Sequence, residues 1–338
     1  MNETSFIFSV VISTLFFTSC TVNHQITVAF YNVENLFDTI NSGVKLDSEF
    51  TPNSEKQWNT AKYKKKIDDL STVISVIDKK GFPVLVGLAE IENNHVLDDL
   101  VANRHISKAG YKFVWNDSPD LRGIDCALLY NPAVFKLVKV EMIPVVNPND
   151  TAFTTRDVIL AEGVMGKEKF YVFVNHWPSR REGEEVSFEK RNLAAAVVRQ
   201  KVDQLFEIDV TANIIIMGDM NDEPENESLA KTLGAKPNTT EPIANDLVNL
   251  MYDESIRKEG SYYYRGNWDM IDNMIVSGSL IVKEKGLGTT LNDGHIFHQK
   301  FMEFVNDRGE ITPNRTYGKT YYGGISDHFP IYMSLEIR

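Results

Sequence analysis

The sequence predicts a mixed α/β protein, on three observations. Short apolar runs of strand length, rich in Val, Ile, Leu and Phe, recur along the chain. Two longer segments instead repeat their apolar residues at spacings of three and four, which is helical periodicity. Runs and helical segments interleave rather than forming separate blocks, the order expected where helices cover the faces of sheets.

The first strand is expected at 26–31, where an apolar stretch passes into Asn32-Val33-Glu34-Asn35. Segment 60–78 follows as a helix, because Ile67, Leu70, Ile74 and Ile77 fall on one face. The basic run Lys62, Lys64, Lys65 and Lys66 is assigned to its solvated side. Further strands are expected at 84–89, 125–130, 135–143, 158–162 and 170–175. A second helix at 187–206 carries Leu193, Val197, Val198, Val202 and Leu205 at helical spacing behind Ser187, a fair N-cap. The run Asn213-Ile214-Ile215-Ile216-Met217, bounded by Gly218, fits a buried strand. Residues 218–270 are turn-rich and are assigned as loops with short helices, before the last strands at 272–277 and 331–335.

Several of these strands end on polar residues. The run at 84–89 gives way to Glu90, that at 170–174 to Asn175-His176, and that at 213–217 to Asp219-Met220-Asn221; Ser326-Asp327-His328 leads into the last strand. One such residue means little. Repeated at strand after strand, they predict side chains converging on one rim of a sheet, where sites are commonly assembled.

Composition bounds the class. The chain has 338 residues, 43% hydrophobic and 24% charged, enough apolar material for a sizeable core. No linker, repeat or low-complexity block marks a domain boundary. With 35 basic and 47 acidic residues the net charge is −12, which argues against a protein that coats nucleic acid by charge neutralisation and leaves catalysis on it open. The apolar run from Phe6 to Phe17 is too short to span a bilayer and has the length of a signal h-region. It ends at Leu15-Phe16-Phe17-Thr18-Ser19-Cys20, which resembles a bacterial lipoprotein cleavage site. Residues 1–19 are therefore expected to be a signal peptide, with Cys20 lipidated and anchored to the membrane of the cell envelope. A plain signal or a buried N-terminal strand is the alternative. Cleavage would leave Cys126 as a lone thiol, with no partner for an internal disulfide, and its apolar run makes it a buried, inert one.

Taken in order, Tyr31-Asn32-Val33-Glu34-Asn35, Leu88-Ala89-Glu90, Asn175-His176-Trp177, Gly218-Asp219-Met220-Asn221-Asp222, Ile271-Asp272 and Ser326-Asp327-His328 resemble the motifs of the endonuclease/exonuclease/phosphatase superfamily. That group contains the deoxyribonuclease-I-like nucleases, inositol polyphosphate 5-phosphatases and bacterial sphingomyelinases. The resemblance spans 31–328 and implies a four-layer α/β/β/α sandwich of two packed mixed sheets. Since one site needs residues from both ends of the chain, 25–338 is expected to be a single domain.

Phosphodiester hydrolysis needs an activated water, counter-charge at phosphorus, help for the leaving oxygen and in-line positioning. Hard oxygen ligands suit Mg²⁺ or Mn²⁺, and the resemblance makes Glu90 the first candidate ligand, then Asn32 and Asp327, with Glu34 weaker. By the same resemblance Asp219 orients or deprotonates the attacking water, while Asn221 contacts phosphate or holds Asp219. His328 would bind the phosphate, with Asp272 accepting its other ring N–H; whether His328 or Asp219 is the base stays open. His176 is a candidate acid or phosphate ligand. Arg180 and Arg181 are the leading phosphate clamps; for Arg122 and Arg156 an internal ion pair is as good a reading. The aromatic run from Tyr262 to Trp268 is either a base-stacking surface or an edge strand packed on the core. No apolar hairpin suited to membrane lipid is evident in the sequence.

The expected function is an exported, divalent-metal-dependent phosphodiesterase of nuclease type acting on a phosphodiester, nucleic acid included. The alternatives are a phosphatase or sphingomyelinase-type lipid phosphodiesterase, or a non-catalytic surface-binding lipoprotein.

Overall fold

The computed structural model describes residues 25–318 and 320–338, so the expected signal peptide and Cys20 lie outside the described residues. In chain order the main elements are β1 (Ile26–Leu36), α1 (Thr60–Ile77), β2 (Leu85–Ile91), α2 (Asn94–Ala102), β3 (Lys112–Trp115), β4 (Asp125–Tyr130), β5 (Phe135–Ile143), β6 (Val158–Met165), β7 (Glu168–His176), α3 (Glu184–Ile208) and β8 (Asn213–Asp219). They continue with β9 (Ala235–Pro237), β10 (Leu247–Asn249), α4 (Tyr252–Ile256), β11 (Tyr262–Tyr264), β12 (Asn267–Asp269), β13 (Asp272–Ser277), α5 (Ser279–Val282), β14 (Leu287–Gly288), β15 (His295–Ile296), β16 (Glu303–Val305), β17 (Ile311–Pro313) and β18 (Ile331–Ile337).

Two mixed sheets result. The first runs β14-β18-β1-β2-β4-β3, with β15 also on β18; the second runs β5-β6-β7-β8-β13-β10-β9. Their inner faces share one buried cluster that includes Phe30, Leu128, Val172, Met217, Met274 and Met333. A second cluster seals α1 to the outer face of the first sheet through Ile67, Leu70 and Ile74 against Val86 and Leu88. A third seals α3 to the second sheet through Ala195, Val198 and Val202 against Ile214, Ile216 and Ile275. Helix, sheet, sheet, helix is thus the layering. Strands buried on both faces explain why 213–217 reads as one continuous apolar run. Among the described residues no helix is long and apolar enough to cross a membrane.

Several sequence expectations need correction. Helix α3 begins at Glu184, with Gly183 at the N-cap position, so Ser187 lies inside the first turn and its hydroxyl donates back to the Gly183 carbonyl at 2.6 Å. The turn-rich stretch contains β9 to β12, strands of three residues whose pattern is too short to register as periodic. Residues 303–313 form a separate hairpin, β16 with β17, on which Phe304, Val305 and Ile311 are exposed, so an apolar hairpin does exist. Lys66 is not on a solvated face: it is 1% exposed.

The backbone departs from regular geometry where the polar motifs begin. Register shifts occur in β1 between Asn32 and Leu36 and in β2 between Ala89 and Ile91. Glu34, Asn35, Glu90 and Asn221 all have positive φ, between 50° and 68°. Left-handed backbone is costly for residues with a Cβ, and bulges of this kind re-aim side chains at the end of a strand.

Candidate active site

Asp219 is the last residue of β8, and strand registry surrounds it. In the antiparallel pair with β13 it faces Asp272, and in the parallel pair with β7 it faces His176. Gly218 makes the second approach close: a Cβ there would lie 2.4 Å from the Asn175 carbonyl oxygen. The first sheet reaches the same point from the other side. Asn32 of β1 donates from Nδ2 to Asp219 Oδ2 at 2.9 Å, and the Asn221 amide donates to Oδ1 at 2.9 Å. Both carboxylate oxygens are therefore held.

Two histidines flank the same oxygen, with Nε2 of His176 at 3.7 Å and Nε2 of His328 at 3.9 Å from Asp219 Oδ2. Their charge states are opposite. Burial, together with the nearby charges of Arg156, Arg122, His328 and Arg181, holds His176 well below the usual imidazole range, so it is neutral. Burial pushes His328 the same way, but the Asp272 charge and hydrogen bond, helped by Asp219 and Asp327, overcome it and lift the group to about 10. The bond from His328 Nδ1 to Asp272 Oδ2 is 2.7 Å, and Ser261 Oγ donates to the same oxygen. Asp219 itself is pushed up by burial and by Asp272, and pulled back by His328 and Asn32.

A wider ring of contacts fixes these groups. The Asn221 side chain donates to the Trp177 carbonyl at 2.9 Å. Arg156 is buried and spends its guanidinium on the carbonyls of His176 and Trp177 and on Asp120, so its role is internal. Arg180 is likewise engaged, with the Asn221 carbonyl at 2.6 Å and with Asp222 and Asn226. Arg122 donates to Asn35 Oδ1 at 3.1 Å and stands 3.7 Å from Glu90 Oε1. Arg181 is exposed, and its charge is felt at both His176 and Arg122. Of the two leading clamps, then, Arg181 is the one left facing solvent.

Oxygen donors for a cation come in two sets. Asp219, Asp272 and His328 offer ligand atoms within 4.8 Å of one another, and within that set His328 Nδ1 and Asp272 Oδ2 are bonded to each other. Glu90 differs. One oxygen accepts from the Asn35 amide at 2.8 Å, while the other has only Arg122 at 3.7 Å, beyond hydrogen-bonding range. Asp327 spends Oδ2 on Arg315 at 3.1 Å, while its Oδ1 stands 3.9 Å from His328 Nε2. Two carboxylates fit a hard divalent cation by donor type, and Asn32 Oδ1, which accepts from the Glu34 amide at 3.0 Å, keeps its second lone pair for the same cation. Glu34 does not: its oxygens accept from the Thr316 amide at 2.5 Å and the Tyr317 amide at 3.2 Å, with Arg315 at 3.5 Å.

The aromatic run forms the hairpin of β11 and β12, with one face beside His328 and the other packed on the core. Tyr262 lies over His328, with ring centroids 4.7 Å apart, and stacks on the half-exposed Tyr264, which Arg265 covers in turn. On the opposite face Trp268 packs on Tyr263 and Phe329.

Comparison with known proteins bears on this arrangement. The family model described as "Endonuclease/Exonuclease/phosphatase family" matches residues 27–337. The chain belongs to that family. Its members are phosphoester hydrolases that generally use divalent metals. Solved structures show the same fold at low identity. One is D. rerio TDP2 complexed with single strand DNA product, with 15% identity, TM-score 0.54, and 93% of this chain and 99% of that chain covered. Another is an endonuclease/exonuclease/phosphatase family protein from Bacteroides thetaiotaomicron, with 15% identity, TM-score 0.54, and 93% and 95% covered. A third is a mannosyl-6-phosphatase from the same organism, with 17% identity, TM-score 0.54, and 92% and 99% covered. Comparison with curated protein sequences gives no significant match.

Within this endonuclease/exonuclease/phosphatase site, the sequence reading missed Ser261, Arg315 and Lys66. Lys66 had a legible signal. It lies three residues after Tyr63 and four before Leu70, both buried, which puts it on the apolar face of α1. Asp125 has a different interest. It is buried at the start of β4, accepts from Ser118 Oγ, and has no partner for Oδ2. Burial raises it to about 7. The folded chain therefore holds a proton that the unfolded chain releases near pH 4. The stabilisation is complete below that pH and is lost as pH rises through about 7, on the order of a few kcal/mol. Asp125→Asn is expected to flatten this fall, measured as Tm from pH 5 to 8 beside the wild type.

Proposed function

We propose that this chain is a divalent-cation-dependent phosphodiesterase of nuclease type, with Asp219, His328, Asp272, His176 and Asn221 as its catalytic residues. The observation that carries the reading is Asp219 set between two histidines, one of them paired with Asp272, with both of its own oxygens held. Asp272, helped by Asp219 and Asp327, favours the charged form of His328, so in this reading it donates from Nε2 to a phosphate oxygen and stabilises the added negative charge. Asp219 takes the proton of the attacking water, aimed by Asn32 and the Asn221 amide. Asp272 keeps His328 charged and oriented. Neutral His176 contacts the phosphate or the leaving oxygen. Arg181 and Arg122 supply further positive charge to the phosphate, and Arg180 supports the Asn221 turn from within. Glu90, Asp327 and Asn32 would hold a Mg²⁺ or Mn²⁺ ion, which when bound would supply counter-charge at phosphorus.

The Tyr262–Tyr264–Arg265 stack beside His328 favours a substrate with a flat group next to the phosphate, as in a nucleic acid strand. The ssDNA product in the TDP2 complex is consistent with that preference. A second reading, a lipid phosphodiesterase, draws on the exposed Phe304, Val305 and Ile311 of the β16–β17 hairpin; a sugar phosphatase draws on the mannosyl-6-phosphatase likeness. Incubation under Mg²⁺ or Mn²⁺ with DNA, RNA, bis-p-nitrophenyl phosphate, sphingomyelin vesicles and a sugar phosphate separates the readings. Cleavage of DNA or RNA is expected, and turnover of the lipid or the monoester alone would overturn the nuclease label. No turnover on any of them would leave a non-catalytic binding protein.

Residues 25–338 form one domain in this proposal, exported after a signal at 1–19 and anchored in the cell envelope through lipidated Cys20. Cys20→Ala is expected to move the protein from the membrane fraction to the soluble one.

A further inference from the structure

Lys66 is a buried ammonium that touches three separate segments of the chain. From the middle of α1 its Nζ donates to the Glu34 carbonyl at 2.9 Å, to Thr316 Oγ1 at 2.5 Å and to the Ile325 carbonyl at 2.6 Å. All three ammonium hydrogens are thereby used. Glu34 lies in the β1 bulge, two residues from Asn32, while Ile325 lies two residues before Asp327. Thr316 belongs to the intervening loop, whose Arg315 pairs with Asp327 and whose amides at 316 and 317 hold the Glu34 carboxylate. Ser326 adds a parallel strut, donating from Oγ to the Asn32 carbonyl at 2.7 Å.

Neither the β1 bulge nor the 325–328 turn belongs to a regular ladder at this point, so strand pairing does not fix their separation. A point charge with three directed donors does. An ammonium confined in this way is also costly to bury unless every donor is matched, so there is one arrangement of the three acceptors in which the helix can pack.

We infer that Lys66 is a positioning residue of the active site, setting the distance between the Asn32 segment and the Asp327–His328 turn from behind. The inference rests on the proposed phosphodiesterase. It adds a residue that touches neither substrate nor cation and acts through the backbone of the groups that do.

The test compares Lys66→Met, similar in length but uncharged, with Leu70→Ala one turn along the same helix, a core truncation that reports on stability alone. Tm, kcat and KM on bis-p-nitrophenyl phosphate, and Mg²⁺ or Mn²⁺ affinity by calorimetry are measured for each. Lys66→Met is expected to lower kcat and cation affinity by roughly 10- to 100-fold, the usual effect of disturbing groups behind a metal site. Leu70→Ala is expected to lower Tm at least as far while leaving kcat and cation affinity near wild type. Should Lys66→Met not fold, Thr316→Val removes one acceptor at constant volume, and smaller losses in the same direction are expected. A Lys66→Met or Thr316→Val protein that is merely less stable, with kcat and cation affinity unchanged, overturns the inference and leaves the enzyme standing. An inactive wild type overturns both.

Discussion

Asp219→Ala is expected to lower kcat on bis-p-nitrophenyl phosphate by about 10²–10⁴-fold, the range for losing a positioned proton acceptor. Asp219→Asn should lose nearly as much, although its carbonyl oxygen can still accept from Asn32 and the side chain keeps its shape, because an amide takes no proton from water. Stability should not fall with it. The carboxylate is buried beside Asp272, and both burial and that neighbour oppose its charge. Replacing it by a neutral isostere relieves that opposition, offset by turning an NH₂ toward one of the two N–H donors that hold the carboxylate, so Asp219→Asn is expected to melt close to the wild type. A near-wild-type Tm with activity gone is the signature of a group kept for chemistry rather than for stability. Retention of more than about a tenth of wild-type kcat in Asp219→Asn would remove Asp219 from the role of base, since general-base loss costs at least about 10²-fold.

The parts of this molecule that were legible in its sequence are those where one physical rule acts alone. Strand β8 was readable because burial on both faces leaves nothing but apolar residues, and Asp219 because a carboxylate directly after such a run has few structural reasons to be there. The ordered set of motifs then carried the fold and the grouping of Asn32, Asp219, Asp272 and His328 at one rim. What stayed hidden depends on tertiary partners. Lys66 reads as one of four neighbouring lysines; its spacing from Tyr63 and Leu70 puts it on the apolar face, but the three acceptors that make burial of its charge tolerable come from segments far away in sequence. Glu34 reads as a candidate ligand, yet the amides of Thr316 and Tyr317, some 280 residues away in sequence, consume it. Arg180 and Arg181 are adjacent and chemically identical, and the turn at Asn221 and Asp222 decides that the first is internal. The strands between Ala235 and Asp269 are three residues long, shorter than any period that a pattern can reveal. Gly183 caps α3 with no side chain to announce it.

His328 and Asp272 should behave as one unit, and a double-mutant cycle tests that. His328→Ala is expected to cost about 10²–10³-fold in kcat, the scale for losing a preorganised donor to a developing oxyanion. Asp272→Asn can keep the ring in place through its carbonyl oxygen but removes the negative charge that overcomes burial at His328. Its imidazole then falls from about 10 toward or below the ordinary range and is largely neutral at pH 8, so the loss should approach that of His328→Ala there and shrink as pH falls. The stability sign agrees. A histidine raised in the folded state contributes stabilisation that is fully present below its unfolded pKa near 6.5 and lost as pH rises through about 10. Asp272→Asn should therefore lower Tm most at the acid end of that window and least above it. Because both substitutions abolish the same imidazolium, the double variant is expected to be no slower at pH 8 than His328→Ala alone. Multiplying losses would mean that Asp272 acts on the substrate or on a bound cation by its own charge, and the pair would have to be divided into two independent groups.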